Sequence, residues 1–249
     1  MRMKIVVIGG SGLIGSKVVA LLNERGHQAV PASPRTGVNT LTGEGVEEVL
    51  RGADVVVDVS NSPSFADDDV MHFFRTSTAN LLDAAAQAGV GHYVALSVVG
   101  CDRMPESGYM RAKAAQEDLI KGSGLSYSLV HATQFFEFAG GIADSATTDG
   151  KVRLSDAGVQ PIAAEDVSAV VARTAADAPL NGTVEVAGPE VLGMDQWIAA
   201  VLTARSDPRE VVTDPQARYF GAVLKRDSLL PGSGAQLAQT RLSEWLAGQ

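Results

Sequence analysis

One cysteine, Cys101, stands alone in 249 residues. Internal disulfides are excluded, and so is a metal site built from cysteines. The four histidines (His27, His72, His92, His131) show no ligand spacing of the H-E-x-x-H kind, so no metal is expected. Long apolar runs are missing too: none reaches the roughly 18 residues that a membrane helix requires. Positive charge is in deficit, with 20 Lys and Arg against 29 Asp and Glu and a formal net charge of −9. That balance argues against nucleic acid or an anionic membrane as the main partner. The sequence also shows no internal repeat, low-complexity stretch or clear linker. The opening MRMKIVVIGG has the basic-then-apolar order of a signal peptide, but glycines interrupt it after Ile8. The expected location is cytoplasmic.

What is present is a chain that is 45% hydrophobic and 20% charged, suited to one large α/β domain. Lys4 to Ile8 is a β-branched apolar run, the pattern of a strand buried on both faces. Gly9, Gly12 and Gly15 follow at a spacing of three, and Ser16 to Glu24 continues with helical periodicity. Strand, glycine turn and helix are the parts of a dinucleotide-binding βαβ entry. Gly9 permits the tight turn, Gly12 lets the backbone approach a pyrophosphate, and Gly15 lets helix and strand pack closely. The helix N-terminus offers free N–H groups. The stretch Gly9, Gly10, Ser11, Gly12, Leu13, Ile14 and Gly15 is therefore the expected phosphate cradle.

His27 to Ala32 reads as the second strand, closed by Ser33-Pro34-Arg35-Thr36. An NAD site places an acid near the end of this strand for the ribose hydroxyls. No acid occurs between Glu24 and Glu44. Ser33, Arg35 and Thr36 instead make a hydroxyl–guanidinium set suited to a 2′-phosphate, which favours NADP. Arg35 as a plain solvated loop residue is the competing reading. Gly37 to Asn39 is expected as a short third strand, Glu44 to Arg51 as a short helix, and Asp54 to Ser60 as a buried strand. The loop beyond it, Ser60, Asn61 and Ser62, should approach the cofactor, because strand C-termini line the ligand crevice. Asp67, Asp68 and Asp69 read either as a cation site or as the acidic first turn of a long helix ending near Ala88, with Gly89 as its C-cap.

His92 to Val98 is the next strand and carries Ser97 towards its end. Tyr109 follows twelve positions later and Lys113 four after that, one turn apart on a helix. A half-buried tyrosine and a solvated lysine would give the same spacing. With the phrase from Asn80 to Ala85, this set of Ser97, Tyr109 and Lys113 resembles the short-chain dehydrogenase/reductase superfamily, and the G-x-x-G-x-x-G opening, the block from His131 to Phe138 and Val184 to Pro189 (VEVAGP) resemble its atypical, NmrA-like branch. The resemblance implies a Rossmann-type doubly wound parallel sheet with a small C-terminal substrate-side lobe, and NAD(P) as cofactor. It implies that Ser97, Tyr109 and Lys113 form the catalytic set. The tyrosine would protonate a carbonyl oxygen, the lysine would favour its anion and hold the nicotinamide ribose, and the serine would polarise the carbonyl. Relatives commonly carry an arginine where this chain has His131, so no role passes to that residue.

Phe135 and Phe136, with Phe138, read either as an aromatic substrate wall or as a packed helix start. Leu125 to Val130 is expected as the sixth strand, Val152 to Leu154 and Thr183 to Ala187 as further strands, and Met194 to Arg205 as a helix. Ser206 to Gly234, with Pro208, Pro215 and Pro231, is the expected lobe, and Leu237 to Leu246 a closing helix. The expectation is thus one NAD(P)-binding domain over residues 1–249, monomeric or homodimeric, acting on a small molecule. The leading function is an NADP-dependent carbonyl or quinone reductase. A noncatalytic cofactor sensor that regulates a partner is the rival, and isomerase or lyase chemistry a third reading.

Overall fold

A computed structural model describes residues 2–248. In chain order the first half runs β1 (Lys4–Ile8), α1 (Leu13–Glu24), β2 (Gln28–Ala32), α2 (Val46–Leu50), β3 (Val55–Asp58), α3 (Asp67–Ala88), β4 (His92–Val98), α4 (Gly108–Gly122) and β5 (Tyr127–Ala132). The second half runs α5 (Ala139–Ser145), β6 (Thr147–Thr148), β7 (Lys151–Leu154), β8 (Gly158–Val159), α6 (Ala164–Ala176), β9 (Gly182–Ala187), β10 (Leu192–Gly193) and α7 (Met194–Ala204). It closes with β11 (Glu210–Thr213), β12 (Arg218–Tyr219), β13 (Ala222–Val223), β14 (Gln236–Leu237) and α8 (Leu242–Ala247).

Seven strands form the central sheet in the order β2-β1-β3-β4-β5-β9-β14. Every neighbouring pair is parallel. A parallel sheet is covered on both faces, which is why β1 and β3 are runs of buried valine and isoleucine rather than alternating strands. On one face Ile14, Val18 and Leu22 of α1 meet Val167 and Val171 of α6. On the other, Leu50, Leu81 and Ile120 bring in α2, α3 and α4. The chain leaves β1 towards β2 on one side and returns to β3 on the other. That reversal opens a crevice at the carboxyl edge, where a doubly wound sheet takes its ligand.

Two expected elements are corrected. Gly37 to Asn39 is not a strand. Gly37 turns left-handed at φ 81°, and the Asn39 side chain accepts from Leu41 N–H at 3.0 Å, so local hydrogen bonds hold the segment as a loop. β2 is therefore an edge strand, where Pro31 can sit without an N–H to offer, and Tyr127–Ala132 is the fifth strand rather than the sixth. Residues 237–241 are not helical either. Gln236 and Leu237 pair with Val186 and Ala187 as the last strand of the sheet, and the helix is confined to Leu242–Ala247. Asp67 to Asp69 do occupy the first turn of α3, and Gly89 caps it at φ 70°.

Residues 206–234 do not pack by themselves. β11 pairs with β7, which also pairs with β6, and Phe136, Trp197, Ile198, Leu202, Leu224 and Leu229 share one core. This assembly sits over the carboxyl edge, tied down where Arg103 Nη2 donates to Leu230 O at 2.8 Å.

Candidate active site

The glycine turn is built to leave backbone exposed. Gly9 is left-handed at φ 79°, and its N–H reaches Ala32 O at 2.9 Å. A Cβ on Gly10 would lie 2.7 Å from both Val7 O and Pro31 Cα, and one on Gly15 would strike the Gly9 carbonyl. Gly12 caps α1 with no side chain, and no acid occupies the first turn. Ser11, Gly12 and Leu13 are exposed. An open helix N-terminus under a side-chain-free turn fits the pyrophosphate of a dinucleotide. Ser60 lies against this turn: its N is 3.0 Å from where a Gly9 Cβ would be. The Ser62 hydroxyl accepts from Ser64 N–H, and Asn61 Oδ1 from Ser62 N–H. Beyond β2, the Ser33 hydroxyl is buried without a hydrogen-bond partner. Arg35 is exposed and forms no ion pair among the described residues.

α4 starts at Ser107, whose hydroxyl accepts from Met110 N–H, and presents Tyr109, Lys113 and Glu117 at successive turns of one face. The three expected catalytic groups come to the same edge in different states. Ser97 donates to Glu117 Oε1 at 2.6 Å. The Lys113 ammonium is buried; it donates to Leu96 O at 2.9 Å and to Gln116 Oε1, and lies 4.4 Å over the Phe74 ring. Burial pulls its pKa down to about 8 against the opposing pull of Asp58, Glu117 and Cys101. Tyr109 is half-buried, and its hydroxyl has no hydrogen bond among the described residues. Burial, with Cys101 nearby, pushes the phenol above its ordinary range. At neutral pH it holds its proton.

Beneath them runs a polar layer that no sequence motif announced. Asp58, at the end of β3, accepts from Ser60 N–H and Oγ (3.0 and 2.6 Å), Tyr93 OH (3.2 Å) and Gln116 Nε2 (3.0 Å). A continuous path thus links the loop beside the glycine turn to Lys113. Glu117 is the other centre. It accepts from Ser97, from Cys101 Sγ at 3.1 Å and from Lys121 Nζ at 3.1 Å, and His131 Nε2 lies 2.8 Å away. Burial alone would raise its pKa; His131, by hydrogen bond and charge, and the donors Ser97 and Cys101 outweigh it and hold the carboxyl well below the usual range. The i, i+4, i+8 run Tyr109, Lys113, Glu117 was the one signal that could have flagged it.

The fold also groups Cys101, Glu117 and His131 within 4.8 Å, although no spacing suggested ligands. Burial and Glu117 push the Cys101 thiol up to about 12, so the thiol is protonated at neutral pH. Phe136 is 1% exposed, with its ring 5.3 Å from Trp245, and Phe135 is buried beside Phe138 at 5.1 Å. Neither ring is open to a ligand. The aromatic rings that surround Tyr109 are Phe65, Phe74 and Phe220.

Comparison with known proteins agrees with this geometry. A family described as NAD(P)H-binding matches residues 9–178. The (4-alkanoyl-5-oxo-2,5-dihydrofuran-3-yl)methyl phosphate reductase of Streptomyces griseus is 30% identical over 210 residues, covering 76% of this chain and 69% of that enzyme. The chloroplastic divinyl chlorophyllide a 8-vinyl-reductase of Oryza sativa is 27% identical over 74% of this chain, which spans 54% of the rice protein. Among solved structures, the NADPH-dependent quinone oxidoreductase QOR2 of Escherichia coli superposes with a TM-score of 0.69 at 18% identity, covering 98% of both chains. WbmH of Bordetella bronchiseptica, in complex with NAD+, gives 0.73 at 16%, covering 99% of this chain and 96% of that one. No helix among the described residues is long and apolar enough to cross a membrane. By sequence, this chain belongs to the NAD(P)H-binding family.

Proposed function

We propose that this protein is an NADP-dependent reductase of a conjugated carbonyl or quinone, with Tyr109 as its proton donor. The observation that carries the reading is the state of Tyr109. Among Ser97, Tyr109 and Lys113 only its hydroxyl lacks a protein partner, and burial keeps it protonated. Burial makes this phenol a weaker acid than free tyrosine, so what supports the role is that its proton is uncommitted and free to reach a substrate oxygen. Bound NADPH would supply the hydride. Gly9 to Gly15 would hold the pyrophosphate, Ser60 to Ser62 would flank it, and Arg35 with the Ser33 hydroxyl would take the 2′-phosphate. Tyr109 would pass its proton to the substrate oxygen that gains charge, and solvent would restore it. Lys113, fixed by Leu96 O and Gln116, would set the local field rather than grip a ribose. Two relatives at 27–30% identity are named reductases, which supports the direction.

One observation favours the rival reading, a cofactor sensor: the Ser97 proton and the Lys113 ammonium are both committed inside the protein. Turnover separates the two. NADPH oxidation above background with a quinone or enone panel supports the reductase, and Tyr109→Phe should lower ketone or enone turnover by roughly 10²–10⁴, the worth of a positioned acid. NADPH affinity should stay within a few-fold. No oxidation across the panel would favour the sensor, and lost NADPH binding in Tyr109→Phe would make Tyr109 a cofactor contact.

A further inference from the structure

Three rings from distant parts of the chain meet over the site: Phe65 from the segment after β3, Tyr109 on α4, and Phe220 between β12 and β13. Their centroids lie 5.7 Å (Phe65–Tyr109), 5.3 Å (Phe65–Phe220) and 5.7 Å (Tyr109–Phe220) apart, and the Tyr109 and Phe220 planes are stacked within 30°. This is no ordinary core packing, since Phe65 is 50% and Phe220 37% exposed. Ser60, a few residues before Phe65, touches the glycine turn. Tyr109 lies one turn from Lys113 on α4, and Lys113 connects through Gln116 and Asp58 to Ser60 at the glycine turn, so the rings share the carboxyl edge with the cofactor cradle.

The backbone gives no reason for a phenylalanine at 220. Arg218 pairs with Val223 and Tyr219 with Ala222, leaving Phe220 and Gly221 as a two-residue hairpin turn. Their φ values are +44° and +86°. Turns with both central residues at positive φ favour Asn-Gly, Asp-Gly or Gly-Gly, and a bulky side chain there is disfavoured. The ring is held by its contacts, not by its turn. Close by, Gln134 is 6% exposed and neither atom of its side-chain amide has a well-formed hydrogen bond, although it lies next to Tyr219. Its polar neighbour is the Tyr219 hydroxyl, and a buried amide held by no well-formed bond can turn to a polar ligand atom.

We propose that Phe65 and Tyr109 form the seat for a planar, oxygen-bearing conjugated ring, that Phe220 fills this seat until the ligand displaces it, and that the Gln134 amide hydrogen-bonds the ligand's oxygen. The identity of that ring as substrate rests on the reductase reading. The site itself does not. An aromatic seat takes a flat ring by offset stacking and gains little from a puckered one. Opening it asks the exposed Phe220 ring to swing off Phe65 and Tyr109.

Calorimetric titration with 1,4-naphthoquinone-2-sulfonate, with and without NADP+, tests the seat without turnover. Phe220→Asn relieves the turn and removes the plug, so it should melt no lower than the parent and bind the probe about 3- to 10-fold tighter, the equivalent of the ring contacts no longer broken. Phe220→Gly serves as a second plug-free variant. Phe65→Leu should weaken binding about 3- to 10-fold, and Gln134→Leu about as much. Cyclohexanesulfonate, puckered and without a carbonyl, should not bind. Weaker or unchanged probe affinity in both Phe220 variants would overturn the proposal, as would indifference to Phe65→Leu. The expected affinity pattern without NADPH oxidation would leave the ring seat standing and sink the reductase reading. Oxidation of NADPH by the quinone with affinities blind to Phe65 and Phe220 would do the reverse.

Discussion

Replacing Glu117 by glutamine tests the polar layer beneath the site. The side chain is 5% exposed and takes Ser97, Cys101 and Lys121 as donors, with His131 at 2.8 Å. Glutamine keeps the shape and one acceptor oxygen. It removes the charge and turns an amide NH₂ towards groups that already donate. A hydrogen bond to a charged group is worth about 1.5–3 kcal/mol, and such contacts around one carboxylate do not add. The ammonium partner Lys121 is half-exposed, so a loss of about 3 kcal/mol, the upper end of that range, is expected at pH 7. For a chain of this length it corresponds to a fall in Tm of roughly 10 °C. The sign of the pH dependence follows from the depressed carboxyl. Its contribution is complete above the ordinary glutamate range, near 4.5, and is lost as pH falls through the lower folded-state value. Urea unfolding of parent and variant should therefore show a constant gap from pH 7 to about 5.5 that narrows below about 4.5. A gap under about 1 kcal/mol at pH 7, or one that persists unchanged to pH 3, would refute the assignment of Glu117 as a buried, multiply bonded anion.

Arg35→Asp should reverse or abolish a preference for NADPH over NADH; equal affinity of the parent for both, read by calorimetry, would remove Arg35 from the 2′-phosphate assignment. Phe136→Ala should cost about 3–5 kcal/mol of stability, since its ring fills the core against Trp245. Kinetics per folded molecule should stay as in the parent, and a raised Michaelis constant with an unchanged Tm would instead return Phe136 to the substrate wall.

The amino-acid sequence by itself determined the cofactor-binding half. Gly9, Gly12 and Gly15 lie within one strand–turn–helix unit, so their geometry follows from neighbours a few positions away, and valine-rich β1 and β3 announce burial on both faces. The same locality misled at Gly37 to Asn39, where Asn39 found a hydrogen bond two residues on and the strand did not form. Only the tertiary structure decided the rest. Glu117 and Asp58 are ordinary acids in the sequence; they became centres of a polar layer because the Tyr109–Lys113–Glu117 face of α4 rests on the carboxyl ends of β3, β4 and β5. Gln236 and Leu237 became a strand solely because the edge of β9 was free to pair. Phe65, Tyr109 and Phe220 carry no shared motif. They meet because three segments separated along the chain end at the same edge of one parallel sheet, and such long-range juxtaposition leaves no periodicity to read.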